Sequence, residues 1–506
     1  MASQDVVIAA GGKPWLSAMD FQIPRIAGID DADMPMVYRL RDVWASKYPG
    51  NVLRTLYYTA HERYKDFGLS VPPRIAGQVA PMIGWPAKAV RTLSDLSAFE
   101  GFQLPSDSDM YGVQEICDTN RLTTAVSQTI VSAYTHSCAF LTVSLTEDGT
   151  VAVSPRSADW SAAIWDGLHN RIGAAMTITD TDENGKVDGF NVWLPHCLYE
   201  CSRTGGVWSA RRSRNPLNRP TVVPFCYDPQ LDRPFGRSRI SGPLMALTDI
   251  GIRTVTRMEA TAEFYSAPKL WFLGVSPQAF DKDLWSSLVS VINSIDSDID
   301  GNKPELKQVS QASMQPHSDM LKTIAMLVAS ETSLPVNDLG ITMDNPASAE
   351  AMAAAERKLS READRQNRLF SEALKDAMGM AVRLANPGLT SLPEEISGMR
   401  PVWAPTREVS DAARADYYAK IAGVNSAFAD SDVGLMKAGL TFAEIRSFRA
   451  YQQRVKAQQS IDQLKQRTLT QRQEVNGDGS DEQASGVAGT AQTAGTGTEG
   501  LSDQSR

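Results

Sequence analysis

The chain has 506 residues, 42% of them hydrophobic and 22% charged, with a net charge of −9. That length leaves room for several cores. The acidic balance excludes a chain that clamps nucleic acid over its whole surface, since such binding needs many Lys and Arg to neutralise phosphates.

No apolar run approaches the roughly 20 residues a membrane span needs. The N-terminal MASQDVVIAAGGKPW lacks the basic-then-apolar order of a secretory signal. Five scattered cysteines, Cys117, Cys138, Cys197, Cys201 and Cys226, point to synthesis in a reducing cytosol. Residues 1–135 read as mostly helical. Met36, Val37, Leu40, Val43 and Trp44 recur at helical spacing over 34–48. Further helices are expected at 53–64, 86–96 and 110–134, the last with Ile116, Leu122, Val126 and Ile130 on one side.

From Cys138 the period becomes two. Hairpins turning at Asp148-Gly149, Asn184-Gly185 and Gly205-Gly206 read as one antiparallel meander that closes near Pro224-Phe225. Helix then returns. Ser241 or Gly242 caps a helix over 243–266, about 36 Å long, which stops before Pro268. A short strand is expected at 269–274, a helix carrying Trp285 at 281–295, an extended stretch at 307–309 and a helix at 317–334. Pro335 opens a loop. Asn345 as N-cap and Pro346 at the first helical position then start a helix that nothing breaks before Asn386-Pro387-Gly388. At about 58 Å it is longer than most single domains need and asks for a large assembly. Residues 393–405 read as irregular, and helices resume at 410–422 and 441–460. Beyond about Arg472 the chain has almost nothing to bury, which predicts disorder. No repeat at solenoid periods is visible.

Chemistry is scarce. DTDENGKVDGFN, from Asp180, places Asp180, Asp182, Asn184 and Gly185 like a calcium loop. Asn191 stands where the bidentate Glu belongs and the flanks are strand-like, so the segment reads as a polar hairpin tip. His196, Cys197 and Cys201 are close in sequence, but no second Cys/His pair accompanies them. They read as partly buried groups at strand ends, with a metal-dependent enzyme as the rival. There is no Gly-x-Ser-x-Gly elbow and no phosphate loop, hence no ATPase, and neither a cofactor nor a metal is expected.

Arg211, Arg212, Arg214 and Arg219 read as the charged edge of a hairpin, the alternative being a contact with phosphates or an acidic partner. Arg454, Lys456, Lys465, Arg467 and Arg472 read as a solvated helix face. On the long helix, Met352, Leu359, Phe370, Leu374, Ala377, Ala381 and Leu384 form a core stripe. Arg357, Lys358, Arg361, Arg365 and Arg368, interleaved with Glu356, Glu362 and Asp364, read as ion pairs along its surface.

Several short motifs follow one another in a definite order. VPFCYDPQLDRPFGRSRISG, from Val223, leads into the helix at Pro243, and SAPKLWFLGVS, from Ser266, leads out of it. A small α/β insertion over 269–315 comes next, then a helix ending at Leu334-Pro335, then the Asn-Pro-Ala-Ser-Ala-Glu-Ala start of the long helix. Over about Leu40 to Arg454, this order resembles the portal proteins of tailed double-stranded DNA bacteriophages of the long-tailed type.

The resemblance implies an α+β portal fold with long stem helices, an antiparallel β-rich wing, a small α/β clip and a helical crown. The wing takes 1–240, with its meander at 138–226. The stem helices take 241–266 and 317–335, and the clip takes 267–316. The tunnel loop takes 336–347, the long helix and its return to the wing 348–404, and the crown 405–460. Residues 461–506 are a mostly disordered tail.

It further implies a non-enzymatic subunit of a dodecameric ring at one capsid vertex of the virion, made in the host bacterial cytoplasm and without membrane contact. The ring is the channel for DNA packaging and ejection. Its partners are the terminase large subunit, a head–tail adaptor, capsid and scaffold proteins, and the double-stranded DNA in transit. Asn337, Asp338, Ile341, Thr342, Met343 and Asp344 would face the channel, with two acids and no base. Lys282, Asp283, Lys303, Glu305 and Lys307 would meet partners at the clip. Another phage head or adaptor protein, and a metal-dependent enzyme using His196, Cys197 and Cys201, remain the alternative readings.

Overall fold

A computed structural model describes residue 18 and residues 21–60, 82–105, 109–265, 270–273, 305–308, 313–340, 349–407 and 410–477. The chain divides into two compact units, Met1–Ala413 and Arg414–Arg506.

In the first unit, helix α1 (Met34–Thr59) passes straight through Pro49, where two helices were expected. Proline removes one backbone hydrogen bond and crowds the preceding turn. Burial on both sides offsets this, because Trp44, Tyr48, Asn51, Val52 and Leu56 are all inside. Trp44 Nε1 donates to the Asp159 carbonyl at 2.8 Å and Asn51 Nδ2 to the Ala158 carbonyl at 2.9 Å. Helix α2 (Trp85–Ser94) and strand β1 (Phe99–Gln103) follow, then α3 (Val113–Thr119) and α4 (Leu122–His136). The single helix expected over 110–134 is thus two. Arg121 takes a left-handed φ of 45°, and the Asn120 side chain leaves the helix to bond a strand edge at the Val151 carbonyl (3.0 Å) and the Val153 N–H (2.7 Å).

The expected meander is also two sheets. Strands β2 (Cys138–Leu145) and β3 (Val151–Ser157) form the first hairpin. The others are β4 (Ser161–Asp166), β5 (Arg171–Thr181), β6 (Val187–Trp193), β7 (Cys197–Thr204), β8 (Val207–Arg214) and β9 (Val222–Cys226). The order β4-β5-β6-β7-β8 is an antiparallel five-stranded sheet, while β3-β2-β9 is a separate sheet of three. β4 was not expected. β2 is buried along six consecutive residues, so it needs a partner on each side and takes β9, pairing Cys138 with Cys226 through Thr142 with Val222.

Helix α5 (Gly242–Tyr265), the antiparallel pair β10 (Leu270–Leu273) and β11 (Glu305–Gln308), and helix α6 (Gln315–Thr332) come next. A 3₁₀ turn (Val336–Leu339), the 37-residue α7 (Ala349–Ala385), α8 (Glu394–Ser397) and β12 (Arg400–Trp403) complete the unit. β12 pairs with β1, so neither 1–135 nor 393–405 is free of strand. The expected helix 281–295 with Trp285, and the start at Asn345-Pro346, lie outside the described residues.

One core joins α2, α4, the three-stranded sheet and α7, and another joins α1 to the five-stranded sheet. Of the expected stripe of α7, Leu359, Phe370, Leu374, Ala377, Ala381 and Leu384 are buried, while the Met352 side chain lies outside the described residues. Fully burying Phe370 contributes about 1.5–3 kcal/mol. The expected ion pairs along α7 are replaced at three positions by bonds that leave the helix. Glu362 meets Arg239, Arg365 meets Asp228, and Asp364 accepts from Thr406. Long side chains beside a packed seam reach the neighbouring element as readily as the next turn.

Helix α9 (Asp411–Ala422) spans the unit boundary. The second unit continues with α10 (Ser426–Ala429), α11 (Asp432–Ala438) and α12 (Phe442–Gly477). Asn425 and Ser431 cap α10 and α11 through their side chains. Thr441 and Glu444 form a reciprocal capping box for α12, with the Thr441 N–H donating to Glu444 at 2.8 Å and the Glu444 N–H to Thr441 at 3.3 Å. α12 continues past both 460 and Arg472, into the stretch expected to be disordered. Residues 456–467 are all exposed, so the intrinsic helix preference of its Gln, Lys, Arg and Leu residues carries the extension.

Candidate functional site: the junction of two paired helices

The segment before α5 is built from tightly specified turns. Gly236 has φ of 68°, and a Cβ there would meet the Tyr227 carbonyl oxygen at 2.0 Å, so only glycine fits. The Arg237 N–H then donates to that carbonyl at 3.0 Å. Ser238 Oγ donates to the Thr135 carbonyl at 2.5 Å and accepts from the Ile240 N–H at 3.0 Å. The Arg239 N–H donates to the Tyr134 carbonyl at 2.9 Å, tying the segment to the end of α4. Of the two caps expected for α5, Ser241 serves: its Oγ accepts from the Leu244 N–H at 3.3 Å and donates to Glu331 at 2.7 Å.

Arg239 is the centre of this junction, with its side chain 4% exposed. Nε donates to the Ala89 carbonyl of α2 at 2.6 Å, and Nη2 donates to the Thr332 carbonyl at the end of α6 at 2.8 Å. Nη1 meets Glu362 of α7 at 2.7 Å and the Tyr227 hydroxyl at 3.2 Å. Tyr227 also donates to Glu362, and burial pushes its phenol up to about 12. A buried guanidinium needs its donors satisfied, and here they join three helices and Tyr227. Sequence reasoning quoted Arg239 inside a motif but gave it no role. Nothing in its spacing separates a buried Arg from a solvated one.

α5 and α6 pack along each other. α5 buries Leu244, Thr248, Ile252, Thr254 and Thr256, and α6 buries Ile324, Ala325, Val328 and Ala329. The buried hydroxyls of Thr248, Thr254 and Thr256 bond carbonyls one turn back at 2.8–2.9 Å, so none is left unpaired. Tyr57 of α1 donates to Asp249 at 2.7 Å. The other face of α6 exposes Met320, Met326 and Leu327.

α6 ends where Ser333 turns left-handed (φ 58°), and Leu334 is buried. The 3₁₀ turn closes at Gly340, φ 77°, as the loop reading required. It carries Asn337, which is exposed, and Asp338, which is half-buried; Ile341, Thr342, Met343 and Asp344 lie outside the described residues. Of the expected clip residues, Glu305 and Lys307 lie on β11 opposite Leu273 and Trp271. Lys282, Asp283 and Lys303 are outside the described residues.

The other clusters resolve differently. Asp182 Oδ1 accepts from the N–H groups of Asn184 (2.9 Å) and Lys186 (2.8 Å), closing a hairpin turn as expected for the calcium-like motif. Arg211 pairs with Glu147 and Glu200, Arg212 with Asp30, and Arg219 with Asp376 of α7, so three of the four arginines in that cluster have acidic partners. His136 is buried, with Ser132 on Nδ1 and Thr55 and Asp159 on Nε2, where it cements α1 to α4. His196 and Cys197 come together with Asp33, not with Cys201. Cys201 is four residues further along β7, about 13 Å at strand rise. Among the described residues, no helix is long and apolar enough to cross a membrane.

Comparison with known proteins places this architecture. The portal protein of Mycobacterium phage L5 is 27% identical over 418 residues, 79% of this chain and 84% of the relative. That of Mycobacterium phage D29 is 26% identical over 415 residues, 78% of this chain and 84% of the relative. A solved chain from the neck of a native GTA particle computed with C12 symmetry matches 71% of this chain and 90% of its own length, with 12% identity and a TM-score of 0.43. Residues 81–427 match the family described as phage portal protein, SPP1 Gp6-like, and since that stretch runs from just before α2 to the start of α10, the chain belongs to the phage portal protein family.

Proposed function

We propose that this chain is a structural subunit that assembles with copies of itself into a ring at one capsid vertex, the ring being the channel for DNA packaging and ejection. The observation that carries the reading is the α5–α6 pair, clamped at one end by Arg239 and followed by the 3₁₀ turn and α7. Family membership supports it. In this reading α5 and α6 are the stem. Residues 1–240 with the return of α7 form the wing, 405–460 the crown, and 336–347 the loop that projects into the channel. The apolar face of α6 at Met320, Met326 and Leu327 is the kind of surface a neighbouring subunit covers.

The motor ATPase is then a separate protein, the terminase large subunit, which docks on the clip over 267–316. The head–tail adaptor replaces it there, and capsid and scaffold proteins surround the ring in the virion. The net charge of −9 suits a conduit, because a wall that does not neutralise phosphates lets a duplex slide. Electron microscopy and mass measurement of the purified protein test the ring. A closed ring with a central hole is expected, whereas only a 55.1 kDa species at micromolar concentration and several salt concentrations overturns it. Asp338→Lys with Asp344→Lys should spare assembly and make DNA translocation slower and salt-dependent. Normal packaging at low salt would put the loop outside the channel. Lys303→Glu with Glu305→Lys should weaken terminase binding, and unchanged packaging would remove those residues from the docking surface.

A further inference from the structure

Asp33 stands at the N-cap of α1 but makes no side-chain cap bond there. Its carboxylate instead turns toward β7. Oδ2 lies 2.9 Å from His196 Nε2 and 4.0 Å from Cys197 Sγ, and the three donor atoms lie within 4.8 Å of one another. We propose that Asp33, His196 and Cys197 bind one divalent metal ion of the zinc type, with water as the fourth ligand, and so staple the start of α1 to the five-stranded sheet.

The donor set selects the ion. A thiolate, an imidazole and a carboxylate together suit borderline-soft zinc, whereas calcium and magnesium take oxygen ligands. With Zn–N and Zn–O near 2.0 Å and Zn–S near 2.3 Å, a tetrahedral site needs N···O of about 3.3 Å and S···O of about 3.5 Å. The His196–Asp33 gap therefore widens by about 0.4 Å and the Cys197–Asp33 gap closes by about 0.5 Å, within ordinary side-chain adjustment.

Supporting groups are in place around the three. The Tyr199 hydroxyl donates to Asp33 Oδ2 at 2.8 Å and accepts from the Asp30 N–H at 3.3 Å, so the carboxylate is held from behind. Burial holds the free Cys197 thiol above its usual range, and Arg212, paired with Asp30 and lying beside the sulfur, offsets part of that, leaving the metal to supply the rest of the thiolate's stabilisation. The His196 side chain is 49% exposed, which leaves the site open to solvent on one side. On binding, the Cys197 thiol gives its proton to water, and His196, whose Nε2–H donates to the Asp33 carboxylate without metal, carries its proton on solvent-facing Nδ1 instead, which frees the Nε2 lone pair for the metal. Cys201, buried in the same core, has no part in the site.

The full-length protein, stripped with chelator and dialysed, is titrated with Co²⁺ as a spectroscopic stand-in for zinc. The expected result is one Co²⁺ per chain with a thiolate-to-cobalt charge-transfer band, displaced by Zn²⁺ and kept in Cys201→Ser. Cys197→Ser should abolish the band. His196→Ala, a solvent-facing change that leaves the core intact, should weaken binding by about tenfold or more and decides the matter if Cys197→Ser does not fold. Added Zn²⁺ should raise the Tm of the parent protein but not of His196→Ala. Absence of the thiolate band in the parent protein, or its survival at unchanged affinity in His196→Ala, overturns the site.

Discussion

Helices α7 and α12 have almost the same length, 37 and 36 residues, yet they are held in different ways. α7 lies against β2, β3 and β9 and buries Leu359, Ala363, Phe370, Leu374, Ala377, Met378 and Ala381, with Phe370 stacked on Phe225 at 5.2 Å. α12 buries Phe442 and Ile445 in its first turn, then exposes Phe448, Tyr451, Ile461 and Leu464. What the two sequences share is a long stretch without Pro. In α7 tertiary burial supplies the stability that isolated helices lack, and in α12 a capping box and intrinsic preference do.

The difference is broken most directly at Phe370. Phe370→Ala should cost about 3–5 kcal/mol in a urea or guanidinium titration, because its cavity is walled by Phe225, Tyr134 and Trp403. A cost below about 1 kcal/mol would mean that α7 is held by its own propensity, as α12 is. Arg239→Met should cost about 3–5 kcal/mol by taking the cation from the part-buried Glu362 carboxylate, which keeps only the Tyr227 hydroxyl, and by removing the donor to the Ala89 and Thr332 carbonyls. The double variant Arg239→Met with Glu362→Met should recover much of that loss, and strict additivity of the two single changes would deny the coupling.

At α12 the effects shrink. Thr441→Ala should lower helicity and cost about 0.5–2 kcal/mol within the second unit, read by circular dichroism. The same cap should respond to acid. The backbone N–H of Thr441, then its hydroxyl, hold the Glu444 carboxyl below the usual glutamate range. The cap is therefore fully present above the unfolded pKa and is lost as pH falls through the lower folded value. A helical signal insensitive to pH between about 5 and 2 in a Thr441→Ala comparison would remove the capping box from the account. Smallest of all, Ile461→Ala should change stability by no more than about 0.5 kcal/mol, because much of that side chain is already in water, and a larger loss would show that α12 is held there by packing.

Local rules account for what was legible in advance. The α5 and α6 boundaries follow from Ser241, Pro268 and Pro335, the hairpin tips from Gly149, Gly185, Gly205 and Gly206 with positive φ, and the α7 seam from apolar spacing. Each depends on residues within a few positions, where turn chemistry and periodicity act. The family itself was legible as an ordered string of such signals.

What the tertiary structure alone decided involves partners far apart in the chain. Pro49 sits inside a helix because Trp44 and Asn51 reach backbone carbonyls 115 and 107 residues away. β1 finds β12, β2 leaves the meander for β9, and Asp33 meets His196 across 163 residues. Arg239 draws Thr332 and Glu362 to one point from 93 and 123 residues away. A strand's apolar pattern says that it must be covered but not by which strand, and an arginine's charge says that it must be satisfied but not where. Those choices belong to the packed whole, because burial and hydrogen-bond satisfaction are settled between distant segments at once.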